Sequence, residues 1–362
     1  MNATAPVARR SPSLTAQLGL SERIFSSASD RALARIIDTG LEQVEEGLVR
    51  HLSFADTVAD TSTRYLLEAG GKRVRPMLTL LTAQLGRGIT PEVLLAAQVS
   101  EITHLASLYH DDVMDVAEKR RGVPSAQTVW GNNVAILTGD LLFARANQLM
   151  VELGERAIRL QADTFERLVL GQLHETVGPT AGEDPIEHYL SVLADKTGSL
   201  IAAAGRSGVI FADGPPEYEE AMRVFGENIG VAFQIVDDVI DLSPQPKETG
   251  KNPGTDIRAG VSTLPILRLR ARAASDPEAV SLLARIERYI LRSNDEGAHT
   301  DEQSADMADA IAQLRDHEVT AQTLAEAHRW ADRAVAALAS LPDGPVRKAL
   351  TRFADTVVDR NG

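Results

Sequence analysis

Six aspartates in two apolar segments are the residues of this chain best suited to metal chemistry. Both segments have the spacing Asp-Asp-x-x-Asp: SLYHDDVMDV at 107–116 contains Asp111, Asp112 and Asp115, and FQIVDDVIDL at 233–242 contains Asp237, Asp238 and Asp241. In a helix, the first and last aspartates of each motif project from one face about a turn apart, where their charges repel. Burial without a counter-charge would cost still more, so a cation must come from outside the helix.

The chemistry of the ligand atoms indicates which cation this is. Mg²⁺ prefers carboxylates, water and substrate phosphates, whereas softer metals prefer thiolates, and the chain has no cysteine. One motif of this kind is more often a solvated helix end or an N-cap. Two motifs embedded in apolar helices favour Mg²⁺, and Mg²⁺ held by carboxylates implies a phosphorylated ligand.

Basic residues flank both motifs, as a phosphorylated ligand requires. Four stretches carry them: EAGGKRVRP with Lys72, Arg73 and Arg75, EKRRGVPS with Arg120 and Arg121, ADKTGS with Lys196, and KETGKNPGTD with Lys247 and Lys251. Singly, each is better explained as a solvated surface base. Together they predict two anion sites beside the metal. A lysine inside an apolar helix next to a Thr and a Gly also predicts a local kink.

The segments that must position these groups read as amphipathic helices. Aromatic residues are only 4% of the chain and no alternating strand pattern is present, which favours helix over sheet. The longest apolar helix begins with Thr90 as N-cap and Pro91 at the first helical position, and it is predicted to be central. The helices after Leu264 are more polar and are expected at the periphery. The sequence predicts an all-α protein with a disordered tail over 1–20 and one domain over 21–362.

Charge and hydropathy exclude several classes of partner. A net charge of −14 argues against nucleic acid as the ligand. No apolar run reaches the length of a membrane span, and the N-terminal segment lacks the apolar core of a secretory signal. A cytoplasmic protein is predicted. Because the first residues carry Arg and Ser and no acid before Glu22, an organelle transit peptide stays open as an alternative.

Six blocks of this sequence resemble the trans-isoprenyl diphosphate synthases in order and spacing: GGKRVRP, HLASLYHDDVMDVAEKRRG, GQLHE, DKTGSL, FQIVDDVIDL and GKNPGTD. The resemblance covers roughly residues 60–270 with specific motifs. It implies a single large helical bundle around a central cavity, usually a homodimer, that elongates an allylic diphosphate with isopentenyl diphosphate. A terpene cyclase or a non-catalytic subunit is the competing interpretation. The second DDxxD and the GGKR stretch disfavour both.

The resemblance also implies a role for each matching residue. Asp111, Asp115 and Asp237 would coordinate Mg²⁺, three ions once substrate is bound, with Asp112, Asp238, Asp241 and Gln172 in support. Isopentenyl diphosphate would be held by Lys72, Arg75, His104 and Arg121, and the allylic diphosphate by Arg120, Lys196 and Lys251. Thr197 and Gln234 would offer oxygen dipoles to the carbocation. Spacing alone favours His104 as a core histidine bonded to a backbone carbonyl, and the match to the motif reverses this in favour of a ligand. His110 is interpreted as structural.

One position departs from the family pattern. Many relatives carry a Lys where this chain has Val261, so one cation expected near the allylic diphosphate is absent. Lys251 or Arg258 is expected to compensate.

The length of the product is predicted from the residues just before the first acidic motif. Ala106 and Ser107 are small, and Ala106 shares a helix face with Thr103, so the channel for the growing chain is expected to stay open for at least another turn. This predicts a product of hexaprenyl length or longer, such as a quinone side-chain precursor, for example that of menaquinone. Alternatively, Phe143 or Leu137 from a facing helix closes the channel early and the product is farnesyl or geranylgeranyl diphosphate.

Overall fold

The computed structural model describes residues 27–244, 253–296 and 300–359. This part of the chain is almost wholly helical, and its only strands are the two-residue β1 (Lys119–Arg120) and β2 (Val123–Pro124). The all-α prediction is therefore confirmed. The predicted tail over 1–20 lies outside the described residues, and the assignment of 21–362 to one domain stays a prediction.

The helices follow one another with short connections. Up to the first acidic motif they are α1 (Ala28–His51), α2 (Thr57–Glu68), α3 (Val74–Thr82) and α4 (Pro91–Met114). After the β1–β2 hairpin come α5 (Ala126–Trp130), α6 (Asn132–Leu153), α7 (Glu155–Val177), α8 (Pro185–Leu193), α9 (Ser199–Phe211) and α10 (Pro216–Asp241). The C-terminal third contains α11 (Thr255–Arg258), α12 (Leu264–Ala273), α13 (Pro277–Glu296), α14 (Asp301–Asp316), α15 (Glu318–Ala337) and α16 (Pro345–Val358).

The described chain divides into two compact units. The first contains the residues up to Arg167 together with Ser199–Gly226 and Ala337–Phe353, and the second contains Leu168–Gly198, Glu227–Ala336 and the residues from Ala354. The first acidic motif lies in the first unit and the second motif in the second.

Helix α4 is the central helix of the first unit, as its apolar sequence predicts. It packs against α1, α3, α6 and α9. The Thr90 side chain accepts a hydrogen bond from the Val93 backbone N–H at 3.3 Å, and Pro91 occupies the first turn, so the predicted N-terminus is confirmed. Burial on almost every face explains why the helix carries so few polar residues before its acidic end.

The second unit has a hydrophobic core of its own. Its buried residues come from α11 to α14 and from the ends of α10 and α15: Leu242, Ile257, Ile266, Leu269, Ala279, Leu282, Ile286, Met307, Ala310, Ile311, Leu314 and Val319. The expectation that the helices after Leu264 are merely peripheral was therefore wrong. Their apolar residues recur at helical spacing and bury one stripe, while the polar remainder faces outward and lowers the average hydropathy.

Candidate active site

The first acidic motif stands at the C-terminal end of α4. The Asp112 side chain is completely buried, and one of its oxygens accepts a hydrogen bond from Arg120 Nε at 2.6 Å. Burial raises the pKa of the Asp112 carboxyl, and Arg120 opposes that rise. Asp111 is partly exposed and Asp115 is exposed. The cation required for Asp112 thus comes from the chain itself, and the two outer carboxylates remain accessible to a ligand.

The β1–β2 hairpin carries the two arginines that follow this motif. Arg120 pairs with Val123 across the hairpin, and the two residues of its turn, Arg121 and Gly122, both have positive φ, at 53° and 79°. Two-residue hairpin turns commonly require this conformation. Arg121 donates to the Leu66 carbonyl at 2.8 Å and to the Gly70 carbonyl. The turn therefore sends neighbouring guanidinium groups to different partners.

A buried ion-pair cluster forms where the GGKR stretch meets α4. Arg73, which is 3% exposed, donates to Glu45 at 2.5 Å and to Glu101 at 2.9 Å. A side chain at Gly71 would place its Cβ only 2.5 Å from the Arg73 guanidinium and 3.0 Å from that of Arg121. The second glycine of the motif is therefore needed so that the two guanidinium groups can lie against the backbone.

Three of the four residues expected to bind isopentenyl diphosphate, Arg75, His104 and Arg121, are half-buried and lie in one cluster. Burial lowers the pKa of Arg75 to about 10, and Arg75 Nε has no hydrogen-bond partner. Burial, followed by the charges of Arg75 and Arg121, holds the pKa of His104 well below its usual value, so this imidazole is neutral near pH 7. Lys72, the fourth, has an exposed side chain. The cluster is built for a ligand that brings negative charge.

In the second acidic motif, as in the first, the first aspartate is accessible and the middle aspartate is buried. Asp237 is exposed, whereas Asp238 is buried and one of its oxygens accepts hydrogen bonds from Tyr189 Oη at 2.8 Å and from the Leu264 backbone N–H at 3.2 Å. Burial raises the pKa of Asp238 to about 8, against the effect of these two donors. Asp241, half-buried, accepts from the Asp256 backbone N–H at 3.1 Å. These middle and last carboxylates anchor the neighbouring segments of the second unit.

Lys196 stands in a π-helical turn, Ala194–Gly198, which is a local deformation of the helix at the position where a kink is predicted. Its ammonium group lies 2.6 Å from a carboxylate oxygen of Glu175. A Cβ at Gly171 would lie 2.8 Å from the Lys196 backbone nitrogen, so this glycine of GQLHE lets α7 approach the turn closely. Next to it, Gln172 Oε1 is buried without a hydrogen-bond partner. Thr197 is half-buried.

Not every predicted residue can be placed at the site. Lys247 and Lys251 lie outside the described residues. Val261 is exposed, and Arg258 donates to the Pro253 carbonyl at 3.0 Å while its guanidinium stacks 5.5 Å from the Tyr289 ring. Arg258 is therefore held on its own helix and loop. Gln234 is half-buried on α10.

The residues expected to form the channel floor are all buried in α4. Ser107 donates to the His104 carbonyl at 2.9 Å, and Thr103 accepts from Gln161 Nε2 at 2.9 Å. Ala106 has no exposed surface. About one turn before Ala106 and Ser107, the hydrogen bond between Thr103 and Gln161 thus connects α4 to α7.

Leu137 and Phe143, the two side chains suggested to close the channel early, lie in different environments. Leu137 is 65% exposed and faces away from the core of the first unit. The suggestion that it closes the channel was therefore wrong for one copy of the chain on its own. The Phe143 ring packs 4.5 Å from that of Phe165 and 5.6 Å from that of His110. His110 also lies 3.0 Å from the Ile136 carbonyl, as expected of a structural histidine.

The donor set of the two motifs suits Mg²⁺ bound together with a phosphorylated ligand. Among the residues that the structure describes, no three His, Cys, Asp or Glu side chains are grouped closely enough to hold an ion by themselves. The available donors are carboxylate oxygens, and Asp112 Oδ2 is buried without a partner. Mg²⁺ commonly takes one or two carboxylates and completes its shell with water and phosphate oxygens, so the residues fit this ion.

Several residues of the site are not predicted by the motifs. Glu45, Glu101 and Tyr189 lie outside the six blocks, and each pairs with a motif residue. Glu175 is the last residue of GQLHE, but its pairing with Lys196 was not predicted. Glu101 does carry a sequence signal, since it is an acid inside an apolar helix like the aspartates themselves. For Tyr189, which lies 49 positions before its partner, no such signal exists.

The sequence model of the polyprenyl synthetase family matches residues 56–296 of this chain. The chain belongs to the polyprenyl synthetase family. Its expected membership and its enzyme class, a prenyltransferase, are confirmed.

Individual relatives agree with this membership over almost the whole chain. A nonaprenyl diphosphate synthase of Mycobacterium tuberculosis is 43% identical over 334 residues, which are 92% of this chain and 96% of the relative. The structure of a geranylgeranyl pyrophosphate synthase from Corynebacterium glutamicum, complexed with calcium and isoprenyl diphosphate, aligns with a TM-score of 0.77 and 41% identity over 91% of this chain and 98% of its own. A polyprenyl synthase from Caulobacter crescentus, also complexed with calcium and isoprenyl diphosphate, gives a TM-score of 0.79 and 31% identity over 93% of this chain and 99% of its own.

Proposed function

We propose that this member of the polyprenyl synthetase family condenses isopentenyl diphosphate with an allylic diphosphate to make an all-trans polyprenyl diphosphate of hexaprenyl length or longer, in the cytoplasm. The observation that carries the proposal is the half-buried cluster of Arg75, Arg121 and His104 beside the first acidic motif. Cations that are partly removed from water are unfavourable unless an anion pairs with them. A diphosphate supplies that charge in a geometry that guanidinium groups match.

Divalent metal binding follows from the donor set. Asp111, Asp115 and Asp237 would hold Mg²⁺, and this assignment is supported by the accessibility of these carboxylates and by the anchoring of Asp112 and Asp238 to the protein. Bound Mg²⁺ neutralises the negative charge that develops on a leaving diphosphate. The anchored carboxylates keep the acidic ends of their helices in a fixed orientation, as outer residues of metal sites commonly do.

The remaining cations would hold the allylic diphosphate. Arg120 and Lys196 are each paired with a carboxylate at 2.6 Å, so both are oriented before the ligand binds. We assign Lys251 to the same group from the motif alone. Thr197 and Gln234 would present oxygen dipoles to the carbocation. The proton released at the end of the reaction would go to the departing pyrophosphate.

Separate diphosphate sites predict separate kinetic effects. Arg121→Ala should raise the KM for isopentenyl diphosphate by about tenfold or more, because it removes a charge-assisted contact to that substrate. Lys196→Ala should mainly lower the turnover of the allylic partner. Steady-state kinetics with each substrate varied in turn test this assignment, and equal effects of both variants on both substrates would contradict it.

A long product is supported by the small residues at the start of the channel and by the relative named nonaprenyl diphosphate synthase. Ala106 and Ser107 are small and buried in α4, and the Leu137 side chain is 65% exposed.

We also propose a homodimer formed through the outer face of α6 and the adjoining start of α7. This surface carries Ile136, Leu137, Val151, Ile158 and Phe165 with exposed side chains. Among the described helices, α6 alone is long and apolar enough to cross a membrane, so the expectation that no apolar run reaches this length was wrong; one such helix is weak evidence for a span. A second copy of the chain would cover the same apolar surface.

The dimer is tested by Leu137→Glu, which places a charge on this face. Light scattering after size exclusion should report a monomer for this variant and a dimer for the wild type. The matched control is Val58→Glu on α2, where the replaced residue is 63% exposed against 65% for Leu137. Equal masses for both variants would contradict the assignment of the face.

The reaction itself is tested by incubating the purified protein with labelled isopentenyl diphosphate, an allylic diphosphate and Mg²⁺. Labelled prenyl diphosphate should form, and EDTA should abolish it. Formation that is unaffected by EDTA would contradict the metal assignment, and no formation with any allylic diphosphate would contradict the reaction.

A further inference from the structure

Glu101 is a buried carboxylate that belongs to neither acidic motif. It lies on α4 three residues before His104, and its side chain is 2% exposed. Its Oε1 atom accepts a hydrogen bond from Arg73 Nη1 at 2.9 Å and faces Arg121 Nη2 at 3.5 Å. One carboxylate thus lies between a guanidinium group from the start of α3 and one from the hairpin.

The two arginines differ in how completely their donors are used. Arg73 also donates to Glu45 at 2.5 and 3.3 Å, to the Leu67 carbonyl at 3.2 Å and to the Gly70 carbonyl at 3.3 Å. It is therefore fixed on all sides by the protein. The described contacts of Arg121 are two backbone carbonyls and Glu101, and its side chain keeps 13% of its surface exposed.

Glu101 also balances charge where three arginines are buried together. Burial lowers the pKa of Arg121 and of Arg75, and the charge of Glu101 opposes this in both cases. A guanidinium group binds a phosphate through a directional pair of N–H groups, so its orientation matters as much as its charge. A small displacement of such a group can cost a large part of the binding.

We propose that Glu101 is a positioning residue for the diphosphate clamp. It holds the Arg121 guanidinium in the orientation that binds isopentenyl diphosphate, and the Arg73 guanidinium is the fixed support on its other side. The inference rests on the proposed function, because it takes Arg121 as a ligand of that substrate.

Two substitutions separate orientation from charge. Glu101→Asp keeps the charge, but its side chain is one methylene shorter and cannot reach both guanidinium groups. Glu101→Gln keeps the length and removes the charge. The matched control is Glu326→Gln in the second unit, which also removes a mostly buried carboxylate paired with an arginine, here Arg268 at 3.3 Å.

Both Glu101 variants should raise the KM for isopentenyl diphosphate by about tenfold, a loss on the scale of one charge-assisted hydrogen bond. Their kcat and their KM for the allylic diphosphate should stay within about twofold of the wild type, and Glu326→Gln should resemble the wild type in all three. Calorimetric titration with isopentenyl diphosphate alone should show the same tenfold loss without turnover.

Other outcomes would overturn the inference. If Glu101 only balanced charge, Glu101→Asp would have the wild-type KM for isopentenyl diphosphate, and Glu101→Gln would bind this anionic substrate more tightly than the wild type. If neither Glu101 variant folds, as judged by circular dichroism, its role is in folding rather than positioning. An inactive wild type would instead refute the proposed function, so the two failures are distinguishable.

Discussion

The hydrogen bond from Tyr189 to Asp238 offers a quantitative test of how the second acidic motif is held. Tyr189→Phe removes a hydroxyl that donates at 2.8 Å and leaves the Leu264 N–H, at 3.2 Å, as the remaining described donor to the same oxygen. The ring and its packing are otherwise unchanged. Because Asp238 is buried, water cannot replace the lost donor.

The size of the effect follows from these contacts. Because burial raises the pKa of Asp238 to about 8, this carboxyl is mostly neutral near pH 7, and a hydrogen bond between neutral groups contributes about 0.5–1.5 kcal/mol to the free energy of unfolding. With an unfolding entropy of about 2.1 cal/mol/K per residue, a chain of 362 residues should lose about 1–2 °C of Tm. If Asp238 fixes the helix end that carries Asp237, the Mg²⁺ concentration for half-maximal activity should also rise, by about tenfold or more.

Thermal unfolding followed by circular dichroism and activity at graded Mg²⁺ concentrations measure the two effects. The matched control is Tyr65→Phe, which removes a hydroxyl donating to the Pro124 carbonyl at 2.9 Å in the other unit. The control should lower Tm slightly and leave the Mg²⁺ dependence unchanged. A Tyr189→Phe variant with the wild-type Tm and the wild-type Mg²⁺ dependence would refute the reasoning.

Three further predictions concern the metal, the channel and the buried histidine. Asp111→Ala and Asp237→Ala should each lower kcat by orders of magnitude while circular dichroism shows an intact fold; near wild-type turnover in either would contradict the metal assignment. Ala106→Phe should shorten the product towards farnesyl or geranylgeranyl diphosphate, and an unchanged product distribution on chromatography would show that the floor lies elsewhere. The folded-state pKa of His104 is lowered, so below about pH 6.5 the unfolded state binds the proton first and stability falls with pH, by up to about 1.4 kcal/mol per pH unit. His104→Gln should flatten this slope in chemical denaturation between about pH 6.5 and 5, and an unchanged slope would mean that the histidine is not buried neutral.

Features encoded by local spacing could be predicted from the sequence. The helical class, the N-terminus of α4 at Thr90 and the deformed turn around Lys196 each depend on residues within a few positions of one another, and all three are confirmed. The need of Asp112 for a cation was also apparent, because an aspartate in an apolar helix must be paired. The partner, Arg120, lies eight positions away, beyond one helical turn.

Features that depend on long-range contacts could not be predicted in the same way. Arg73 has the same residue type and setting as Arg75, but it is bound by acids 28 positions away in each direction along the chain, so it supports the clamp from within the protein. Likewise, the helices after Leu264 are polar on average, so the hydrophobic core that they form in the second unit was not predicted. In both cases the pairing is a property of tertiary packing and has no local sequence signal.

The central claim is the synthesis of a long all-trans polyprenyl diphosphate, and product length tests it most directly. The purified full chain would be incubated with Mg²⁺, farnesyl diphosphate and excess labelled isopentenyl diphosphate, and the dephosphorylated products would be separated by reversed-phase chromatography against prenyl alcohol standards. The account predicts a main product of six or more isoprene units. A main product of geranylgeranyl length, unchanged at longer times and at higher isopentenyl diphosphate concentrations, would contradict it.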